Sequence, residues 1–236
     1  MNWRIPLLWL SLLISCLNLA AQQVTLTARV TWQKGNRTRD PGNVVVWLMP
    51  EGGAAAPALS PPSQKPRLTQ KNKSFEPHVL VVPVGSVVEF PNRDPFFHNV
   101  FSLFDGKRFD LGLYEAGSSR DVHFDKAGVS YIFCNIHPEM SAVVIAVETP
   151  YYGISDSRGQ IAIANVPEGR YELRVWYEGA QPDTLKAMER EVNVSESNST
   201  LGVLRLVDYG VVQAHKNLYG HDYDSSAPDN PAYPRP

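Results

Sequence analysis

Apolar residues in this chain recur at every second position or in short runs, and almost nowhere at the three-to-four-residue spacing of an amphipathic helix. Val24, Leu26, Ala28, Val30 and Trp32 alternate with polar neighbours, and Tyr171, Leu173, Val175 and Tyr177 recur at every second position. Alternation marks a strand with one buried and one wet face. Residues 44–49 form an apolar strand and 79–84 a valine-rich run, followed by strand patterns at 87–90, 96–101, 129–133 and 141–147. Turn formers punctuate them: Gly85-Ser86, Pro91-Asn92-Arg93-Asp94-Pro95, Ala127-Gly128, Asp156-Ser157-Arg158-Gly159 and Val166-Pro167-Glu168-Gly169. Ile161 with Ile163, Val192 with Val194, and residues 201–206 supply later strands. The expectation is an all-β protein.

Residues 1–21 carry Arg4, an apolar stretch and the pair Ala20-Ala21, the pattern of a secretory signal peptide. Leu13-Ile14-Ser15-Cys16 resembles a lipobox, so the expected periplasmic or secreted, bacterial protein has a lipoprotein anchored at Cys16 as its alternative form. No later segment reaches the roughly 20 apolar residues of a membrane span. The formal net charge of −2 becomes −3 once Arg4 leaves with the signal, and no cluster of basic residues suggests a nucleic-acid partner.

Export makes Cys134 conspicuous, because it is then the only cysteine left and has no partner for an intramolecular disulfide. It lies in Cys134-Asn135-Ile136-His137-Pro138-Glu139-Met140, which puts a thiolate, an imidazole and a thioether within seven residues. A buried thiol, a core histidine or a methionine filling a gap would each be ordinary alone. Together they point to copper, since soft sulfur ligands select it, imidazole suits it, and two His, one Cys and a weak Met make an electron-transfer centre. His98, which follows the loop 91–95, can converge on Cys134 at one pole of a Greek-key sandwich.

The residues Phe75-Glu76-Pro77, 85–90, Asn92 with Asp94, His98-Asn99-Val100 and Cys134-x2-His137-x2-Met140 resemble the cupredoxins, with the short ligand loop of amicyanin. The resemblance spans residues 68–147. It implies one mononuclear copper ion with His98, Cys134 and His137 as equatorial ligands and Met140 axial, and with Asn99 bracing the loop and helping to hydrogen-bond the Cys sulfur. Glu139 departs from the apolar residue of amicyanin.

The phrases Asp156-Ser157-Arg158-Gly159 and Pro167-Glu168-Gly169-Arg170-Tyr171 resemble the carboxypeptidase regulatory-like, transthyretin-type sandwich, and the strands near the N-terminus resemble its opening. The expected layout is a signal peptide at 1–21, a split prealbumin-like β-sandwich at 22–50 and 149–208, an Ala/Pro-rich linker at 51–66, a cupredoxin domain at 67–148 and an extended tail at 209–236 packed by Tyr209, Tyr219 and Tyr223. This composite resembles exported proteins labelled methylamine utilisation proteins.

The function so implied is electron transfer with a redox partner such as a c-type cytochrome or dehydrogenase, through an apolar rim of Phe96, Phe97, Pro138 and Met140 around the edge of His137. Copper holding or delivery is the alternative, and a non-redox scaffold a third reading. An enzyme is not expected: the six histidines include no His-x-His pair, and no nucleophile elbow, zincin helix or glycine-rich phosphate loop occurs.

Overall fold

The alternating and continuous apolar segments pack as stacked β-sheets. The computed structural model describes residues 22–34, 40–52, 59, 62–103, 106–210 and 216–223. The signal peptide with Cys16, much of the linker, His215 and most of the tail lie outside the described residues. In chain order the elements are β1 (Gln23–Lys34), β2 (Val45–Pro50), β3 (Thr69–Gln70), β4 (Phe75–Glu76), β5 (Val79–Pro83), β6 (Ser86–Pro91), β7 (His98–Ser102), β8 (Phe109–Tyr114), β9 (Ser119–Phe124), β10 (Gly128–Cys134) and β11 (Ser141–Val147). There follow β12 (Tyr152–Ile154), β13 (Gln160–Pro167), β14 (Gly169–Trp176), a single helical turn α1 (Pro182–Lys186), β15 (Arg190–Val194) and β16 (Thr200–Val207).

Strands from the two ends of the chain share sheets. One sheet has the order β13-β1-β16 and a second β12-β2-β14-β15, whereas β5-β11-β10-β7-β8, β6-β9 and β3-β4 draw only on the segment between β2 and β12. The first two sheets enclose a core that includes Leu26, Val30, Val46, Leu48, Ile163 and Leu173. The five-stranded sheet and the β6-β9 ribbon enclose another, with Phe90, Val100, Phe124, Ile132, Cys134, Met140 and Val144. The turn between β12 and β13 shows how local chemistry supports this arrangement. The Asp156 carboxylate accepts the amides of Arg158 at 2.9 Å and Gln160 at 2.8 Å, and Gly159 supplies the left-handed conformation at φ +76°.

A third apolar layer joins the two halves. Val45, Val79, Val81, Val143, Ile145, Val147 and Trp176 are buried together between the β2 and β11 sheets. Along β11 the even-numbered residues Ala142, Val144 and Ala146 face one core, while Val143, Ile145 and Val147 face this layer. A strand covered on both sides reads as an unbroken apolar run, which is why 44–49 and 79–84 lack alternation. β1 and β13 have a wet face and alternate.

Two segments depart from expectation. The strand expected at 96–101 begins only at His98, as β7. The buried Asn92 side chain donates to the Phe96 carbonyl at 2.7 Å and accepts the Asp94 amide at 3.0 Å, so 92–96 is held as a loop. β8 and β9 had no clear sequence signal because most of their side chains are exposed or half-buried.

Candidate metal centre

The pairing of β10 with its two neighbours creates the site. β10 pairs with β11 up to Phe133 opposite Ser141, so Cys134 and Met140 close the hairpin, with the Cys134 amide donating to the Met140 carbonyl at 3.3 Å. Met140 in turn donates its amide to the His137 carbonyl at 3.0 Å. On the other side Cys134 lies opposite Val100 of β7, and the Asn135 amide donates to the Asn99 carbonyl at 2.9 Å. That register brings the start of β7, and hence His98, against the ligand loop.

Three donor atoms meet there. Cys134 Sγ lies 3.6 Å from His98 Nδ1 and 3.5 Å from His137 Nδ1, and the two Nδ1 atoms are 3.2 Å apart. The point equidistant from three atoms so spaced lies about 2 Å from each, the length of a metal–nitrogen bond and a little under a metal–sulfur one. Cys134 and His98 are fully buried and His137 is half-buried. Among the described residues this is the one cluster of three or more His, Cys, Asp or Glu side chains with metal-ligand spacing. Met140 is fully buried in the core cluster that also contains Cys134.

Asp94 orients the first histidine. Its carboxylate accepts the His98 Nε2–H at 2.9 Å, which leaves the Nδ1 lone pair facing the sulfur. Asp94 also accepts the backbone amides of Asn72 and of Lys73, the latter at 3.0 Å. Burial works against this carboxylate, yet the Lys73 amide, the His98 ring and the Asn72 amide outweigh it and hold the Asp94 carboxyl below its usual range. Burial pushes His98 below the ordinary histidine range although Asp94 opposes it. Burial, reinforced by the neighbouring His98 ring, takes His137 down to about 4. Both rings are therefore neutral near pH 7, with lone pairs to offer. Burial raises the Cys134 thiol, opposed by the amides of Ile136, Asn99 and His137 directed at the sulfur.

The expected rim is partly redrawn. Met140 belongs to the interior and not to the surface around His137, because the closing hairpin rung turns it inward. Phe97 and Ile136 are exposed, as is Pro138, and Phe96 packs its ring 5.3 Å from His98 and 5.4 Å from His137. Asn99 addresses the sulfur and loop with its backbone, while its side chain donates to Asp110 at 2.8 Å.

Two contributors had no assigned role from sequence alone. Asp94 carried a signal, since it lies four residues before His98 in a turn-rich loop. The tail was expected to pack through its tyrosines, but nothing directed it to the site. Residues 217–221 form a turn in which the Asn217 side chain accepts the amides of Tyr219 at 2.9 Å and His221 at 3.0 Å. Tyr209 and Tyr219, expected to pack, are exposed, and the turn leaves Tyr223 to reach the ligand loop.

No protein-family model and no curated relative matches the chain. Among solved structures it is similar to a purple cupredoxin from Nitrosopumilus maritimus, at 23% identity over 35% of this chain and 99% of the other, with a TM-score of 0.32. A copper-containing nitrite reductase from Thermus scotoductus matches at 28% identity over 41% of this chain and 25% of its own, with a TM-score of 0.35. A reduced amicyanin variant matches at 21% identity over 43% of this chain and 98% of its own, with a TM-score of 0.34.

Proposed function

We propose that His98 Nδ1, Cys134 Sγ and His137 Nδ1 hold one copper ion, with the Met140 thioether as a weak fourth ligand, and that the exported protein is an electron carrier and not an enzyme. The observation that carries this reading is the spacing of the three donors at 3.2–3.6 Å, two of them fully buried. Copper bound there would supply reversible one-electron exchange between its cuprous and cupric states. The chain's own contribution is rigidity: His98 is tied to Asp94, and Cys134 is closed into the hairpin by the Met140 carbonyl. Ligands fixed by packing and hydrogen bonds need little rearrangement when the charge of the site changes. The half-buried His137 ring, beside exposed Phe97, Ile136 and Pro138, offers the kind of small apolar contact that suits a brief encounter. Its partner on this reading is a periplasmic c-type cytochrome or dehydrogenase. The surrounding architecture is proposed to be a cupredoxin inserted in a prealbumin-like sandwich, the layout that resembles methylamine utilisation proteins.

Adding cupric ion to the purified protein and recording visible absorption and electron paramagnetic resonance tests the proposal, with Cys134→Ala as control. The expected result is an intense blue or green band with narrow hyperfine splitting, absent from the variant, and reversible reduction. Copper bound without colour would move the reading to holding or delivery, and no binding at all would refute the site.

A further inference from the structure

The loop 134–140 is anchored within its own sandwich by the Asn135-to-Asn99 and Cys134-to-Met140 backbone bonds. Its outward polar groups are taken by residues from elsewhere in the chain. The Cys134 carbonyl accepts the Tyr223 hydroxyl at 2.8 Å, and the Asn135 side-chain oxygen accepts the Leu218 amide at 2.8 Å. At the far end, the carbonyl of Ser141, which follows Met140, lies 3.2 Å from His78 Nδ1. The other ring nitrogen of His78 lies 2.7 Å from the carboxylate of Glu178, which stands just beyond β14 in the other sandwich. The Tyr209 amide donates to the Gly179 carbonyl at 2.9 Å, so the chain leaving β16 towards the tail is tied to the segment that carries Glu178.

We propose that the tail, through Tyr223 and Leu218 at Cys134, and the sandwich built from the chain's two ends, through Glu178 and His78 at Ser141, brace the ligand loop at both its ends and thereby set how fast copper enters and leaves. The inference rests on the copper reading for its purpose and on hydrogen bonds alone for its geometry. Tyr223 and Glu178 act as positioning residues, Tyr223 on the Cys134 carbonyl and Glu178 through His78. The turn at 217–221 makes the strap effective, because Asn217 fixes it in the shape that presents the Leu218 amide and little freedom is lost on docking. Cys134 Sγ is fully buried, so a thiol reagent reaches it only when the loop opens, and opening breaks these bonds.

The test uses residues 22–236, whose only thiol is Cys134. The rate at which an aromatic disulfide reagent modifies Cys134 in the metal-free protein is compared for the parent, Tyr223→Phe and Glu178→Ala, alongside the rate of cuprous-ion transfer to excess chelator. Each substitution is expected to raise both rates about fivefold, the factor carried by one ordinary hydrogen bond, with the urea midpoint of the metal-free protein nearly unchanged. Rates within twofold of the parent for both variants would overturn the brace, as would acceleration that merely tracks a fall in global stability. If the parent protein shows no thiolate-to-copper band, the copper reading fails on its own, and the thiol rates still decide whether the loop is braced.

Discussion

Replacing Asp94 separates the orientation of His98 from the mere presence of the histidine. Asp94 is 4% exposed and receives three donors: the amides of Asn72 and Lys73 and the Nε2–H of His98. Asp94→Ala leaves all three without their acceptor. Asn72 and Lys73 are exposed, so water can reach their amides and each loss falls near 1 kcal/mol, whereas the ring of fully buried His98 loses about 2–3 kcal/mol. Stability of the metal-free protein should therefore fall by about 4–5 kcal/mol. Copper affinity should fall roughly 10–100-fold, because the ring is no longer held in the tautomer that presents Nδ1. Asp94→Asn should be milder. One carboxylate oxygen, Oδ2, serves both Lys73 and His98, so a carboxamide oxygen in its place keeps those two bonds and orphans only the Asn72 amide. The expected losses are then about 1–2 kcal/mol and less than about tenfold in copper affinity. Urea unfolding of the metal-free protein and chelator competition measure the two quantities. An Asp94→Ala protein that binds copper as tightly as the parent would refute the reasoning, and equal losses for the two variants would show that charge, not lone-pair direction, governs the site.

Met140 is fully buried, so Met140→Leu should cost the metal-free protein less than about 1.5 kcal/mol, against about 2–5 kcal/mol for Met140→Ala. A changed reduction potential in the Leu variant at near-parent stability, read by redox titration, is expected if the thioether is a ligand. The unfolded chain takes up the His137 proton near pH 6.5 and the folded chain only at about 4, so the unfolded state holds more protons between these values. The metal-free protein should thus lose stability as pH falls through that window, and His137→Gln should lessen the slope of the urea midpoint against pH between 7 and 5, leaving the share contributed by His98, which burial also lowers. Trp176→Ala, at a residue 6% exposed in the layer between the sandwiches, should cost about 3–5 kcal/mol in thermal or urea unfolding. A loss below about 1 kcal/mol would mean that this layer is not packed as a core.

What was legible in the sequence was what local pattern and donor chemistry control. The alternation at 24–32 and 171–177 reports a strand with a covered face whatever covers it, and the structure has β1 and β14 there, with Trp176 also covered on the other face of β14. The order His98, Cys134, His137, Met140 names the donors because sulfur and imidazole carry their metal preference with them. Three features lay beyond that reach. The run 79–84 announced an apolar strand, but only the packing of Val79 and Val81 against Val45 and Trp176 showed that its second face is covered by a sheet from the chain's ends. Asp94 was visible as a turn residue, and its bond to His98 follows from the way Asn92 shapes the loop. Tyr223 stands 89 residues from Cys134, and nothing in either local sequence encodes their contact. Side-chain periodicity and ligand type are properties of neighbours along the chain, so the sequence determines them directly. The choice of sheet against sheet, carboxylate against ring and tail against loop is made by contacts that exist only once distant segments have packed, and tertiary structure alone decides it.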